Sequence, residues 1–242
     1  MKTGDNWHVH APWAQLVCCT EIPEDKLVKF YAISNEIMDE TANTDDKHGD
    51  GIIPLPWSIS DDTFVKYDVR QYLMEMVENY MSTILSNGNV GSNLDELLPG
   101  GPHTQWCTRI VDAWVVSQKE NEYIPVHNLY NQRESYKISG VLYLKVPEQI
   151  RQNTNDMAIK GGKDGQLVFT GMGSADPFST TEQFNVPSEA GWLYLFPSTL
   201  NHQVYPFKGA GERRGISFNI DVISIEQLNL IKQSVEAQNE TP

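Results

Sequence analysis

The sequence has few cysteines and no long apolar run. Its three cysteines, Cys18, Cys19 and Cys107, are an odd number without a C-x-x-C spacing, which disfavours a disulfide framework and a zinc knuckle. No stretch of 18 apolar residues occurs, and residues 1–6 lack an apolar signal region, so we expect neither a membrane span nor a secretory leader. These absences predict a soluble protein of a reducing, cytoplasmic compartment.

Basic residues are also scarce. Lys and Arg together number 18 against 32 Asp and Glu, and the formal net charge is -14 at pH 7. Nucleic acids and anionic membranes bind proteins through basic surfaces, so this balance argues against either as a partner. The expected partner is a small-molecule or peptide substrate, and the oligomeric state is left open. An anionic ligand would have to be bound by individual, locally placed cations.

The chain of 242 residues is long enough for one large domain with a substantial core. We expect a single domain over residues 1–242. Its first part, about 1–103, would supply an N-terminal strand and helical support. Its second part, about 104–220, would form a β core, and about 221–242 would form a C-terminal helix and tail.

Helical periodicity dominates the first part of the chain. Pro23 at a first helical position, followed by two acids, predicts a helix to about Glu40. Ser60 can cap a second helix over about 61–86, which has one broad apolar face. A last helix is expected over about 224–237, on the outside of the β core.

From residue 104 onward the pattern changes to short runs rich in β-branched and aromatic residues, separated by turn residues. Such runs are typical of an antiparallel sandwich or barrel, and eight of them are sufficient for a jelly roll. The predicted fold class is therefore mainly β with flanking helices. The expected strands are 105–118, 122–128, 137–146, 166–170, 182–186, 191–196, 202–206 and 213–220.

Two histidines lie at strand ends of this expected roll. His127 follows the apolar run 123–126, and His202 begins a strand soon after the apolar run 191–197. A rigid strand end fixes an imidazole ring, and imidazole is the commonest protein ligand of metals. Either histidine alone is equally consistent with a hydrogen-bonding loop residue. Their joint pattern favours a metal site.

Two adjacent arginines begin the strand that follows His202. Arg213 and Arg214 point to opposite faces of that strand, so only one of them can face the interior. An inward arginine is suited to a bidentate pair with a carboxylate, whereas solvated edge charges are the alternative for both. Tyr143, on the alternating strand 137–146, can donate its hydroxyl to the same carboxylate or belong to the core.

Four motifs carry a resemblance to a known family: Ile124-Pro125-Val126-His127-Asn128, Ser139 to Leu144, Phe196 to Phe207, and Glu212 to Asn219. Between about residues 105 and 220 the chain resembles the 2-oxoglutarate and Fe(II)-dependent oxygenases of the prolyl-hydroxylase-like group. The resemblance implies a double-stranded β-helix (jelly roll), Fe(II) held by His127 and His202, and 2-oxoglutarate as co-substrate. It selects Arg213 as the 2-oxoglutarate anchor, and it implies hydroxylation of an unactivated C–H bond.

The third metal ligand of that family is missing from its usual position. A carboxylate, or another histidine, normally lies two residues after the first histidine, on the same face of the strand, and here that residue is Leu129. In one alternative, Glu134 returns to the metal through a longer segment. In a second, the position is vacant for halide, as in related halogenases with a smaller residue there. In a third, water, Asn128 or Asn131 completes a weakened site, or the protein is a binding or structural jelly roll without catalysis.

Overall fold

The computed structural model describes residues 8–10, 15–40, 51–54, 57–86, 106–129, 136–153, 164–171, 183–226, 228–230 and 233. The helices are α1 (Glu24–Glu40), α2 (Asp61–Lys66), α3 (Arg70–Ser86) and α4 (Glu148–Asn153). The strands are β1 (His8–His10), β2 (Val17–Glu21), β3 (Trp57–Ser58), β4 (Trp106–Gln118), β5 (Ile124–His127), β6 (Tyr136–Lys145), β7 (Leu167–Thr170), β8 (Gln183–Val186), β9 (Trp192–Pro197), β10 (Asn201–Val204) and β11 (Arg213–Ser224). Residues 225–226, 228–230 and 233 are helical.

The strands form two antiparallel sheets. The larger sheet has the order β1-β2-β9-β6-β11-β4-β3, and the smaller has the order β5-β10-β7-β8. The first four strands belong to the larger sheet. From β4 onward the chain crosses to the other sheet after every strand except β7, which is followed by β8 in the same smaller sheet. This topology confirms the predicted fold class, a mainly β jelly roll with flanking helices.

The larger sheet is buried on both faces, because helices cover one face and the smaller sheet covers the other. Phe30 of α1 and Val77 of α3 pack with Leu142 and Phe218 in the core between helices and sheet. A second core lies between the sheets and includes Phe169 of the smaller sheet. The helices predicted from apolar periodicity therefore support the sheet from outside, and the space between the sheets is left for a site.

The helix predicted over 61–86 is interrupted, contrary to the sequence-based expectation. Its start is as predicted, since the Ser60 hydroxyl accepts a hydrogen bond from the Thr63 amide at 3.2 Å. The chain then leaves the helix at Asp68, which adopts a left-handed backbone with φ of 53°. This turn lets both Phe64 and Val69 be fully buried, which one continuous helix would not allow at a spacing of five residues. Packing therefore overrides the apolar periodicity at this point.

A buried carboxylate fixes the start of β11. Glu212 accepts hydrogen bonds from Nε and Nη2 of Arg214, both at 2.8 Å, and from the Ser117 hydroxyl at 2.8 Å. Arg214 also donates to the Asn35 side chain of α1 at 2.6 Å. Burial disfavours the charge of Glu212, but these hydrogen bonds and the charges of Arg214 and Lys119 outweigh it and lower its pKa to about 2.

We expect Glu212→Gln to remove a pH-dependent part of the stability. A carboxyl whose pKa is lowered from 4.5 to about 2 stabilises the fold by about 3 kcal/mol above pH 5, and this contribution is lost as the pH falls toward 2. Urea denaturation between pH 3 and pH 7 measures the free energy of unfolding of both proteins. The difference between parent and variant should become smaller as the pH falls. Glu120→Gln, which changes an exposed acid on the neighbouring turn, is the control. A difference in unfolding free energy between parent and Glu212→Gln that does not vary with pH would contradict the lowered pKa of Glu212.

Candidate functional site

A cavity of about 160 Å³ lies between the two sheets. Its wall is mostly apolar, with two histidines, one arginine and a few hydroxyl groups. The lining residues are Trp114, Val116, Ile124, His127, Leu129, Gly140, Val141, Tyr143, Leu167, His202, Val204, Arg213, Gly215 and Ser217. The structure thus places four of the five predicted site residues, His127, Tyr143, His202 and Arg213, around one space.

Strand pairing brings the two histidines together. His202 of β10 is the direct antiparallel partner of His127 at the end of β5, so both side chains emerge on the same face of the smaller sheet. Their ring centroids are 4.3 Å apart. The rings of Phe196 and Phe169 lie 5.0 and 6.1 Å from the ring of His202, which leaves His202 only 4% exposed.

Backbone carbonyls set the tautomer of both histidines. Nδ1 of His127 lies 2.8 Å from the carbonyl oxygen of Pro125, and Nδ1 of His202 lies 2.9 Å from that of Leu200. A carbonyl oxygen can only accept, so each Nδ1 carries a proton, and in the neutral ring Nε2 is then the atom with a lone pair. Burial, and then the neighbouring charge of His127, lower the pKa of His202 to about 4, which keeps that ring neutral near pH 7. A neutral imidazole with a free Nε2 is the form that binds a metal.

The third metal ligand is not supplied by Leu129. That side chain lines the cavity beside the histidines, and its amide donates to the carbonyl of Ser198 at 2.9 Å, but a leucine cannot coordinate. Within the described ranges, no cluster of three or more His, Cys, Asp or Glu could hold a metal. Glu134 and Asn131 lie outside the described residues. Among the described residues, the cavity thus offers a metal the two imidazole nitrogens of His127 and His202 and no third side-chain ligand of these types.

Arg213 is a buried cation that lines the same cavity. It is 4% exposed, and its Nη2 donates to the Tyr143 hydroxyl at 2.6 Å while its guanidinium lies 4.5 Å from the centre of the Tyr143 ring. Its Nη1 donates to Oε1 of Gln118 at 3.3 Å. Its Nε is buried without a hydrogen-bond partner. Arg214 lies on the opposite face of β11, where it pairs with Glu212.

The environment of Arg213 favours an anionic ligand. Among the residues that the structure describes, no carboxylate forms an ion pair with it, whereas Arg214 and Arg109 each pair with one. An isolated buried charge costs several kcal/mol unless it is compensated. Because Nε of Arg213 has no hydrogen-bond partner and the side chain lines the cavity, an anion bound in the cavity could compensate the charge. A carboxylate suits this position, since its two oxygens can accept two parallel hydrogen bonds from a guanidinium.

Two polar groups that support the site escaped the sequence analysis. Gln118 is the antiparallel partner of Arg213 on β4 and follows Trp114 and Val116 along the same face, so strand alternation could have pointed to it. The second group is a buried hydrogen-bond chain in which the Ser139 hydroxyl lies 2.8 Å from the Ser198 hydroxyl and donates to the Asn219 side chain at 2.9 Å. No sequence pattern joins these three positions, because they lie far apart in the chain.

The strand-rich part of the chain matches a protein-family model. Residues 112–219 match a family described as putative 2OG-Fe(II) oxygenase. The matched segment runs from within β4 to within β11 and includes both cavity histidines and the buried arginine. No curated protein matches the chain.

Solved structures share the fold. The chain is similar to a prolyl hydroxylase from Trichoplax adhaerens, in complex with a hypoxia inducible factor oxygen degradation domain peptide fragment, with 13% identity, a TM-score of 0.51 and coverage of 85% of this chain and 83% of that one. A prolyl-4-hydroxylase from Pseudomonas putida matches with 16% identity, a TM-score of 0.47 and coverage of 89% and 92%. None of the described helices is long and apolar enough to cross a membrane.

Proposed function

We propose that this chain, whose residues 112–219 match a family described as putative 2OG-Fe(II) oxygenase, is a 2-oxoglutarate and Fe(II)-dependent dioxygenase that hydroxylates an unactivated C–H bond. His127 and His202 hold Fe(II), and Glu134 completes the ligand set. Arg213, with Tyr143, binds the far carboxylate of 2-oxoglutarate. The observation that carries this proposal is that paired histidines with free Nε2 atoms share one cavity with a buried, uncompensated arginine.

Each residue has a definite task in this reaction. Bound Fe(II) supplies the redox chemistry that couples decarboxylation of 2-oxoglutarate to oxidation of the substrate. The carbonyls of Pro125 and Leu200 hold the imidazole rings in orientation, so that both Nε2 atoms are ready for the metal. Arg213 fixes the co-substrate at a set depth, and the apolar wall formed by Val141 and Leu167 excludes water that would divert a reactive oxidant.

The substrate class and the compartment are also proposals. A small molecule or a peptide fits the acidic composition of the chain, and the Trichoplax adhaerens relative holds a peptide fragment. Cys18, Cys19 and Cys107 are free thiols, and burial raises the pKa of Cys18 to about 12. Free thiols are consistent with a reducing, cytoplasmic setting.

A second candidate is a jelly-roll binding or structural module that has lost the complete iron site. Leu129 in the place of the usual carboxylate favours it, and so does the absence of a third ligand among the described residues. Arg213 would then bind a carboxylate ligand that is not oxidised. A halogenase-type variant is the remaining alternative, and the bulk of Leu129 disfavours it because a halide needs that space.

We expect the protein to bind one Fe(II) per chain under anaerobic conditions. His202→Ala should weaken iron binding by more than the roughly 10- to 100-fold that follows loss of a hydrogen bond behind a metal ligand. Anaerobic titration followed by metal analysis measures this. Arg213→Ala is the control, since it alters the same cavity without removing a nitrogen donor. Equal iron binding by parent and His202→Ala would contradict the metal assignment.

We expect Arg213→Ala and Arg214→Ala to affect different properties. Loss of the cavity guanidinium should weaken 2-oxoglutarate binding by about 1.5–3 kcal/mol, the range of a charge-assisted hydrogen bond. Loss of Arg214 should leave that affinity nearly unchanged but lower stability, because it pairs with buried Glu212. Calorimetric titration with 2-oxoglutarate and urea denaturation measure the two effects. A larger loss of affinity from Arg214→Ala would reverse the assignment.

The third ligand is tested by a pair of substitutions. If Glu134 completes the iron site, Glu134→Ala should reduce iron affinity and abolish succinate formation, whereas Leu129→Asp should not tighten binding. If the chain has lost its carboxylate, Glu134→Ala should be silent and Leu129→Asp should tighten iron binding. We expect the first result. Chloride-dependent changes in the spectrum of the iron and 2-oxoglutarate complex would instead indicate the halogenase-type variant.

A further inference from the structure

Gln118 is held in a single orientation by its hydrogen bonds. The side chain is fully buried at the end of β4. Its Nε2 donates to the carbonyl of Glu122 at 2.6 Å and to the carbonyl of Tyr205 at 2.8 Å. Carbonyl oxygens only accept, so both hydrogens of the amide nitrogen are used and the assignment of its oxygen and nitrogen is unambiguous. Oε1 therefore faces Arg213.

Among the residues that the structure describes, the side chains that accept hydrogen bonds from Arg213 are an amide and a hydroxyl. Oε1 of Gln118 accepts from Nη1 at 3.3 Å, and the Tyr143 hydroxyl accepts from Nη2 at 2.6 Å. Buried arginines in proteins are usually paired with carboxylates. Arg214, on the opposite face of β11, is paired with Glu212 in this way. A neutral amide aims the guanidinium without cancelling its charge.

We propose that Gln118 is a positioning residue that aims Arg213 into the cavity while leaving its full positive charge for the carboxylate of the co-substrate. This inference rests on the proposed function, in which Arg213 binds 2-oxoglutarate. Gln118 also ties together the two loops that its amide nitrogen contacts, the turn before β5 and the segment after β10. The guanidinium and both strands that carry metal-binding histidines are therefore anchored to one side chain.

The charged groups around Gln118 are few. Arg213 faces it from β11, and the Glu122 carboxylate lies on the adjoining turn, where it accepts from the Lys119 amide at 2.6 Å. Lys119 itself pairs with Glu212 at 3.8 Å. An acid in place of Gln118 would thus meet Arg213 as its nearest cation, and it would compete with an incoming carboxylate for that cation.

The test compares Gln118→Glu with the parent by calorimetric titration of 2-oxoglutarate into protein loaded anaerobically with Fe(II), between pH 6 and pH 8. A carboxylate at 118 should weaken binding about tenfold or more at pH 8. The loss should persist from pH 6 to pH 8, because the charge of Arg213 favours the ionised form of an adjacent carboxyl, as Arg214 does for Glu212. Gln166→Glu, the same change at a buried glutamine outside the cavity lining, is the matched control and should bind 2-oxoglutarate as the parent does.

A purely structural role for Gln118 would lower stability without weakening 2-oxoglutarate binding, so parent-like affinity of folded Gln118→Glu across this range would overturn the inference. If Gln118→Glu does not fold, as judged by thermal melting, Gln118→Met takes its place. It removes the acceptor without adding charge and should weaken binding severalfold at every pH; unchanged affinity would again overturn the proposal. Parent protein that does not bind 2-oxoglutarate, with Arg213→Ala behaving identically, would instead refute the proposed function and this inference together.

Discussion

The pairing of β11 with both β4 and β6 is the constraint on which the rest of the structure depends. This strand lies inside the larger sheet, and its alternation divides the molecule into two environments. Ile216 and Phe218 enter the core beneath the helices, whereas Arg213, Gly215 and Ser217 face the cavity. A shift of one residue in the pairing of β11 would turn Ile216 and Phe218 toward the cavity. It would also place the charge of Arg213 in the apolar core.

Close packing holds that register in place. A Cβ atom at Gly140, the β6 partner of Phe218, would lie 2.1 Å from the Phe218 ring, and one at Gly215 would lie 2.6 Å from the carbonyl oxygen of Leu142. Only glycine fits at either position, because the obstacles are a buried ring and the backbone. The two glycines therefore let β6 and β11 approach closely. This packing keeps β11 in the register in which Arg213 faces the cavity.

Much of this arrangement could be predicted from the sequence because local patterns determine it. The strands between 105 and 220 follow from runs of β-branched and aromatic residues, and the inward direction of Arg213 follows from strand alternation together with the family pattern. The break at Asp68 could not be predicted, since long-range burial of Val69 decides it. Strand alternation places Gln118 on the cavity face of β4, but its hydrogen-bond partners could not be predicted, because they lie on a separate strand and two loops.

Electrostatics and ligand geometry together point to one site. In a chain of net charge -14, a buried guanidinium without a described carboxylate partner is strongly disposed to bind an anion. The paired histidines lie across the same cavity, and the structure keeps at least His202 neutral. A ligand with a carboxylate at one end and metal-binding oxygens at the other would satisfy both groups at once, and 2-oxoglutarate has this chemistry.

The visible absorption spectrum of the anaerobic protein with Fe(II) and 2-oxoglutarate tests this account most directly. A keto acid chelated to iron gives a weak charge-transfer band, which neither component shows alone. We expect the band to saturate at one equivalent of iron, and to be lost in His202→Ala. We also expect it to require higher 2-oxoglutarate concentrations in Arg213→Ala. If the parent protein binds both components without developing the band, the histidines and the arginine do not form a single site.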